Sequence, residues 1–279
     1  MNLSIVYREA HNLFHPIIGE IWCLHRVVDV RSKFPSNRDL EVTPEYLEQL
    51  ILQYKSLGYR FVSIDDVLQY PRYGFSKRRW VNISFDDGFS DVYDNAYPIF
   101  RKYSIPFTIY LTVGMPEGTA DLWWMQLESL VDGDVPSFER LVGTAYKNPK
   151  LMSETMHEMT HSATDGGVTA KFSLTWEQIS EMVASGLCTI GSHTVSHPGL
   201  TRLTSEKVEE ELLSSKSMIE NKIPGQIVRH FSYPHSMCNV DVEAAVKKAG
   251  YESAVLGYGG KIRKGDNVFR LHRNNIVQK

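Results

Sequence analysis

Pairs of histidines four residues apart occur at three places in the sequence, and each pair is a candidate for holding a metal ion. The stretch "GSHTVSHPGL" at 191–200 contains His193 and His197, and "MHEMTHSA" at 156–163 contains His-Glu-x-x-His. A third pair lies in "HNLFHP" at 11–16. Two imidazoles at this spacing, in a helical turn or a tight loop, can reach one cation. The three pairs therefore compete as candidates for one metal site.

Two adjacent carboxylates lie in "NISFDDGFSD", where the apolar strand "WVNISF" ends in Asp86 and Asp87. Successive residues of a strand point to opposite sides, so one carboxylate can bind a cation while the other faces a substrate. Gly88 allows the sharp turn that follows. An Asp-Asp-Gly sequence also fits an ordinary solvated turn, so these residues need partners at the same edge to form a site.

His193 and His197 directly follow the apolar strand "LCTIGS" at 187–192, so they also lie at the carboxyl end of a strand. Two neutral imidazoles and one carboxylate form a three-ligand set with an open position, which is typical of catalytic zinc and related first-row metals. Asp87 completes the set if both strands end at one rim. We therefore expect a divalent metal, zinc before cobalt, nickel or iron, held by Asp87, His193 and His197.

The other two histidine pairs give weaker alternatives. His157, Glu158 and His161 match the metal-and-base arrangement of zincin peptidases, with Glu181 on a later helix as a candidate third ligand. No Gly-x-x-His continuation follows, and the surroundings are polar, which favours an exposed helix. The pair in "HNLFHP" precedes the first strand without an acidic partner nearby, and we expect its histidines to be structural or surface residues.

Apolar runs alternate with helical patterns along most of the chain and must position these candidates. Repeated β–α units indicate a parallel sheet covered by helices, and their number favours an α/β fold with a distorted barrel of about seven parallel strands. In such barrels the chemistry gathers at the carboxyl ends of the strands. The predicted strands are 20–28, 60–64, 80–85, 105–113, 187–192, 227–233 and two near the end, and the predicted helices are 43–58, 91–104, 175–186, 204–223 and 241–250.

The alternation stops between Gly114 and Lys171. Structureless loops of this length are uncommon inside a compact domain, so we interpret 115–172 as an insertion after the fourth strand. It contains the apolar, helix-like "DLWWMQLESLV". We expect residues 1–279 to form a single domain that carries this insertion.

Composition excludes several classes of protein. A net charge of −3 over 279 residues gives no basic surface for nucleic acid. No apolar run is long enough for a membrane span, and the N-terminus does not match a signal peptide, so a cytoplasmic location is the default expectation. Cys23, Cys188 and Cys238 are far apart and odd in number, which predicts neither a disulfide framework nor a Cys-x-x-Cys zinc site.

The two strand-end motifs, in this order, resemble those of the polysaccharide deacetylase family, also called the NodB-homology or carbohydrate esterase 4 family. "SFDDGFSDVYDNAYPIFRKYSIPFTIYLTVG" resembles the first motif of the family, and "LCTIGSHTVSHPGLTRLT" resembles the second. "IVRHFSYPHS" is similar to a divergent third motif, with "AVKKAGYESAV" after it. The resemblance covers most of the chain outside 115–172.

This resemblance implies a distorted (β/α) barrel and the metal-dependent removal of acetyl groups from N-acetylated sugars. By position, Asp87, His193 and His197 would hold the metal, and Asp86 would be the general base. The turn "YPHS" would present the backbone N–H of His235 to the oxyanion. Tyr233, Trp123 and Trp124 are candidates for contact with the substrate. The two tryptophans would stack on sugar rings, or else pack in the core of the insertion.

The sequence departs from the family in its later motifs. Many relatives have an arginine two residues before the proline of the third motif, where this chain has Ser232, and Arg229 is out of register. Where the family has a glycine after that turn, this chain has Ser236. His272, directly after Leu271, is the candidate general acid, with a structural strand residue as its alternative. His25 ends the first strand and is expected to reach the rim or to bond the backbone.

The sequence thus predicts a metal-dependent deacetylase acting on an N-acetylamino sugar in a glycan or glycan precursor. The weakened third and last motifs leave a non-catalytic, glycan-binding member of the family as a first alternative. The zincin-like peptidase is the second.

Overall fold

Parallel strands dominate the structure, which is a computed structural model that describes residues 16–69, 79–148, 154 and 169–279. The strands, in chain order, are β1 (Ile17–Leu24), β2 (Arg26–Val27), β3 (Glu41–Val42), β4 (Arg60–Phe61), β5 (Trp80–Asp87), β6 (Phe107–Leu111), β7 (Cys188–Ser192), β8 (His230–Ser232), β9 (Ser253–Gly259), β10 (Ile262–Arg263) and β11 (Leu271–Asn275).

Seven of these strands close into a barrel. Their order is β1, β5, β6, β7, β8, β9 and β11, and β1 pairs in parallel with both β5 and β11. Strand β4 extends the sheet beside β5, and β10 pairs antiparallel with β1. The predicted barrel of about seven parallel strands is therefore confirmed.

Most of the described helices pack around the barrel, and α5 and α6 belong to the insertion. They are α1 (Pro35–Arg38), α2 (Pro44–Ser56), α3 (Ile64–Gln69), α4 (Tyr97–Tyr103), α5 (Trp123–Leu130), α6 (Val135–Lys147), α7 (Trp176–Ala184), α8 (Ser205–Lys222) and α9 (Val240–Lys248). A π-helical turn at Val92–Ala96 precedes α4, and 3-10 turns lie at Leu200–Arg202 and Pro234–Ser236. None of the described helices is long and apolar enough to cross a membrane.

Capping residues begin two of these helices where the sequence predicts. The Thr43 hydroxyl accepts from the N–H of Tyr46 at 3.3 Å at the start of α2. At the start of α7, Thr175 and Gln178 form a reciprocal capping box. Each bond satisfies a donor that the first turn of a helix leaves without a partner.

Several element boundaries differ from the prediction. The strand expected at 20–28 ends at Leu24, and Arg26–Val27 pairs instead with Glu41–Val42 in a separate two-stranded sheet. The strand expected at 60–64 ends at Phe61. The helix expected at 91–104 begins as a π-helical turn because Pro98 has no N–H for the regular ladder.

The buried side chains fall into separate clusters. The largest joins the barrel strands to their covering helices; in it, Phe100 of α4 stacks on Phe107 of β6 with ring centroids 4.6 Å apart. A second cluster belongs to the insertion and contains Trp123, Trp124 and Phe138, which packs on Phe34. The insertion therefore has a core of its own against the carboxyl end of the barrel.

Candidate metal centre and substrate cavity

The register of three neighbouring strands brings the two sequence motifs together. Asp87 of β5 lies opposite Leu111 of β6, and Leu111 lies opposite Ser192 of β7. The N–H of His193, the next residue, donates to the carbonyl of Leu111 at 2.8 Å. The backbone ladder therefore places Asp87 and His193 at one level of the rim, as expected for parallel strands that end together.

Left-handed backbone geometry turns the motif residues inward from this rim. Asp87 has a φ of 74°, Thr194 of 71°, His197 of 58° and His235 of 55°, a region that residues other than glycine rarely adopt. Gly88, with a φ of 110°, completes the turn after Asp87. Such strained positions cluster at functional sites, where the surrounding structure holds them in place.

One Asp87 oxygen lies between the two imidazoles of the second motif. The Oδ1 atom of Asp87 is 3.6 Å from Nε2 of His193 and 3.4 Å from Nε2 of His197. One potential ligand atom from each of the three residues lies within 4.8 Å of the others. The predicted trio therefore does converge.

The tautomer of His193 follows from its other nitrogen. Its Nδ1 lies 2.8 Å from the carbonyl oxygen of Ser232, which can only accept, so Nδ1–H is the donor. The Nε2 atom then carries a lone pair directed at the cluster. In metal-binding histidines, a hydrogen bond from the ring nitrogen that does not contact the metal orients the ring and sets its tautomer.

The buried Asp87 carboxylate provides the test of whether these residues fit a cation. Asp87 is 2 % exposed, and its Oδ1 has no hydrogen-bond partner among the described residues. Burial raises the pKa of Asp87 well above its usual range, the charge of Asp86 adds to this rise, and Arg273 opposes it. A cation among the three ligand atoms would give Oδ1 its missing partner and offset the penalty of burying its charge. The donor set fits a divalent metal.

Asp86 has a different environment, dominated by Arg273 of β11. The Arg273 guanidinium donates to both carboxylate oxygens, with Nη1 at 2.8 Å from Oδ1 and Nη2 at 2.5 Å from Oδ2. The Ser232 hydroxyl also donates to Oδ2 at 3.2 Å. This bidentate pairing fixes the orientation of the carboxylate.

The charge of Asp86 depends on this pairing. Burial opposes ionisation, but the positive charge and hydrogen bonds of Arg273, with a contribution from His193, outweigh it and hold the pKa of Asp86 well below its usual range. Asp86 and Asp87 are adjacent and both buried, but within the described part of the chain a positively charged side chain donates hydrogen bonds to Asp86 and none does so to Asp87. The two carboxylates are therefore equipped for different tasks.

Arg273 is a site residue that the sequence analysis misses. Its guanidinium contacts both Asp86 and the hydroxyl of Ser232, the position where many family members have an arginine, while Arg229 pairs with Asp65 at 3.2 Å and does not line the cavity. The signal for Arg273 is its place on the strand "LHRNN", two residues before the rim residue Asn275. That signal is weak because the contact with Asp86 spans 187 residues of chain.

A cavity of about 410 Å³ opens above these residues. The part of its lining that comes from the strand ends, here called the barrel wall, contains His25, Asp86, Asp87, His193, His197, Tyr233 and His235. The part that comes from the insertion, here called the insertion wall, contains Trp123, Trp124, Val142 and Tyr146. The predicted substrate-contact residues all line the cavity, and the insertion is a wall of the site.

The aromatic candidates differ in what they present to this cavity. The Trp124 ring lies 5.4 Å from that of His197, and Trp123 packs edge-on against Trp124 with centroids 5.5 Å apart. The Tyr233 hydroxyl donates to the carbonyl of Phe269 at 3.0 Å, so this residue offers the cavity its ring. The ring of His235 lies 4.4 Å from that of His197.

His272, the sequence candidate for the general acid, is not among the residues that line the cavity. Its Nδ1 lies 3.3 Å from the carbonyl oxygen of Tyr258. The side chain at residue 272 points away from Asp86 because strand residues alternate, and Arg273 takes the inward position. This geometry gives no support to a role for His272 in proton transfer.

His25 does reach the rim, as one of the two sequence interpretations expects. It lines the cavity, and a ring nitrogen of His25, the Cys23 sulfur and an Asp86 oxygen all lie within 4.8 Å of one another. Its Nδ1 has no hydrogen-bond partner among the described residues. Burial lowers the pKa of His25 to about 4, although the charge of Asp86 opposes this shift.

The competing histidine pairs, in "HNLFHP" and at 157–161, lie outside the described residues. Glu181, the proposed third ligand of the zincin alternative, accepts a hydrogen bond from Tyr93 at 2.6 Å. It does not line the cavity above Asp87.

The fold and the site define a class of protein: a (β/α) barrel of seven parallel strands with a candidate metal centre at the carboxyl ends of its strands. The family model described as polysaccharide deacetylase matches residues 74–254. The chain therefore belongs to the polysaccharide deacetylase family.

Curated relatives carry related names. The chain is 26 % identical over 196 residues to a putative polysaccharide deacetylase, YxkH, of Bacillus subtilis, covering 70 % of this chain and 51 % of that protein. It is 34 % identical over 84 residues to the poly-β-1,6-N-acetyl-D-glucosamine N-deacetylase of Staphylococcus aureus, covering 29 % of each. The chain thus spans about half, or less, of the length of these relatives.

Solved structures share the fold. The Streptococcus pyogenes deacetylase PplD, in complex with acetate, superposes with a TM-score of 0.67 at 21 % identity and 92 % coverage of both chains. IcaB from Ammonifex degensii superposes with a TM-score of 0.65 at 22 % identity, covering 92 % of this chain and 91 % of that one. None of the relatives named here is a peptidase.

Proposed function

We propose that this protein is a metal-dependent deacetylase that hydrolyses the N-acetyl group of an amino sugar in a glycan or glycan precursor. The observation that carries the proposal is the convergence of Asp87, His193 and His197 beside Asp86, which Arg273 fixes in place. The names of the staphylococcal relatives support N-acetylglucosamine as the sugar class.

The metal ligands in this proposal are Asp87, His193 and His197. Two imidazoles and a carboxylate favour zinc, with cobalt, nickel or iron as alternatives. When bound, such a cation supplies Lewis acidity, which polarises an amide carbonyl and lowers the pKa of water. The neutral Nε2 atom of His193, set by its bond to Ser232, suits this role.

Asp86 is the proposed general base. Its low pKa keeps the carboxylate ionised across the neutral range, and Arg273 holds it in one orientation at the edge of the cavity. From there it accepts the proton of the attacking water. A positioned base of this kind contributes about 10²–10⁴ to a rate.

His235 and His25 complete the proposed machinery. The His235 backbone N–H, in a left-handed turn beside His197, is the proposed donor to the oxyanion. His25 is the proposed general acid in place of His272, because it lies in the cavity near Asp86. His25 is neutral at rest, and the proton that Asp86 accepts from water passes through His25 to the leaving nitrogen.

The substrate would lie between the barrel wall and the insertion wall. Indole rings are suited to stacking on the apolar faces of sugars, so Trp123 and Trp124 are the proposed platform, with the Tyr233 ring as a further contact. Because Arg273 fills the role missing at Ser232, the weakened third motif no longer favours a non-catalytic member of the family.

The test is acetate release from N-acetylglucosamine oligosaccharides by the purified protein. We expect a chelator to abolish release and added zinc or cobalt to restore it. His193→Ala and His197→Ala should lose both zinc binding and release, while His272→Ala, as a matched histidine control outside the cavity, should keep both. Release that persists in chelator, or in both ligand variants, would refute the proposal.

A further inference from the structure

The last turn of α6 contacts both loops that carry the candidate site. The hydroxyl of Tyr146 lies 3.2 Å from Nδ1 of His235, in the turn after β8. The carbonyl oxygen of Tyr146 accepts from Nη2 of Arg202 at 2.9 Å, in the 3-10 turn that follows His197. One residue of the insertion thus bridges the second and third motifs.

The ring contacts continue this connection to the metal ligands. The Tyr146 ring meets that of His235 at 5.6 Å and 82°, and His235 meets His197 at 4.4 Å and 68°. On its other side Tyr146 packs against Trp123 at 6.2 Å. The imidazole of His235 is therefore held between a tyrosine of the insertion and a candidate metal ligand of the barrel.

His235 needs such a support because its backbone is strained. Its φ of 55° and the φ of 56° at Ser236 place two consecutive non-glycine residues in the left-handed region. The Ser236 hydroxyl also supports the turn by accepting from the N–H of Gly257 at 2.7 Å, and the N–H of Ser236 donates to the carbonyl of Tyr233 at 2.9 Å. Residues in this region keep their conformation only when surrounding contacts determine it.

We propose that Tyr146 is a positioning residue, whose hydroxyl fixes the His235 imidazole and thereby the turn that presents the His235 N–H to the substrate. The kinetic consequence of this inference rests on the deacetylase function proposed above. The inference gives the insertion a role in the reaction. Because Tyr146 also lines the cavity, the test must separate this role from direct contact with the substrate.

The experiment compares Tyr146→Phe with Tyr93→Phe. Tyr93 is the matched control, because its hydroxyl also joins two elements, at 2.6 Å from Glu181, but does so away from the cavity. Loss of one neutral hydrogen bond predicts a roughly two- to tenfold drop in kcat for Tyr146→Phe, with KM within about twofold. Tyr93→Phe should match the wild type.

A double variant shows whether Tyr146 acts through His235. In a His235→Ala background, Tyr146→Phe should cause no further loss of kcat, because the partner of the hydroxyl is already absent. Equal losses in both backgrounds, or a changed KM alone, would show that Tyr146 contacts the substrate directly and would overturn the inference.

A measurement without metal or substrate separates this inference from the proposed function. The ¹⁵N resonance of His235 Nδ1, assigned by its loss in His235→Ala, should shift in Tyr146→Phe and stay unchanged in Tyr93→Phe. An unmoved resonance would overturn the positioning role even in an active enzyme. If the resonance moves but the wild type releases no acetate, the proposed function fails and the catalytic consequence of Tyr146 fails with it.

Discussion

The barrel wall of the cavity consists of side chains at strand ends, whereas the insertion wall consists of aromatic side chains on two helices. In the barrel wall, the backbone ladder through Asp87, Leu111 and Ser192 sets the positions of the candidate metal ligands. In the insertion wall, side-chain bonds hold α5 and α6: Glu128 accepts from Ser32 and from Asn37, each at 2.7 Å.

The two walls therefore determine the geometry of the cavity in different ways. A ladder of backbone bonds is insensitive to most side-chain changes, so the barrel wall keeps reacting groups in fixed places. Half-buried side-chain bonds are individually weak, so the shape of the insertion wall can change without moving the strand ends, except where Tyr146 contacts His235. We therefore expect substitutions in the barrel wall to alter kcat and most substitutions behind the insertion wall to alter KM.

The largest effect is expected for Asp86→Asn. This change removes the proposed base and leaves the three metal ligands intact, so acetate release should fall about 10²–10⁴-fold. Zinc affinity, measured by titration calorimetry, should stay within a few-fold of the wild type. A variant with full activity would remove Asp86 from the mechanism.

Arg273→Met should strongly destabilise the fold, because it leaves the buried carboxylate of Asp86 without its cation. Breaking a buried pair in this way costs about 3–5 kcal/mol, measurable by urea unfolding of the metal-free protein at pH 7.

The deficit of Arg273→Met should shrink as the pH falls from 7 towards 4. In the wild type, the lowered pKa of Asp86 contributes stability that is fully present at pH values above the pKa of Asp86 in the unfolded chain. This contribution is lost as the pH falls through the pKa of Asp86 in the folded protein. In the variant, burial without Arg273 raises the pKa of Asp86, so protonation relieves the buried charge. A deficit that is constant with pH would contradict this account of the pair.

His25→Asn tests the acid within the barrel wall, with His272→Asn as the matched control. We expect kcat to fall about 10²-fold for His25→Asn, since it removes a proton donor at the reacting nitrogen. The control should stay within about twofold, because His272 does not line the cavity. The reverse pattern would return the role of acid to His272.

Glu128→Ala is expected to have the smallest effect and to act on the insertion wall. Loss of its two hydrogen bonds, each contributing about 1 kcal/mol, should raise KM by roughly three- to tenfold with kcat nearly unchanged. Glu210→Ala is the control, because Glu210 is an exposed partner of Lys207 on α8. A fall in kcat with unchanged KM would contradict the assignment of Glu128 to substrate binding.

The sequence predicted the barrel wall well because its signals are local. Alternating apolar strands and helices, with Thr43 and Thr175 at helix starts, define β–α units, and such units close in few ways. Residues that follow strands in these units then lie at one rim. The trio Asp87, His193 and His197 therefore followed from strand-end positions and side-chain chemistry.

The insertion was predicted only in outline. Its first helix, α5, is visible as an apolar run, but α6 was not expected, although Asp134 caps it and Pro136 lies in its first turn. The contacts of α5 and α6 with Ser32, Ser36 and Asn37 join segments about a hundred residues apart. No pattern within either segment indicates its partner.

By itself, the sequence determined the barrel, the order of its strands along the chain and the residue types at the ends of those strands. The tertiary structure alone decided which cation pairs with the buried Asp86, and that His25 lines the cavity whereas His272 does not. It also decided which helices of the insertion line the cavity. The physical reason is distance along the chain: hydrophobic periodicity, caps and turns are read over a few residues. The partner of a buried ion depends on which side chains the closed barrel brings within about 3 Å, the reach of a hydrogen bond.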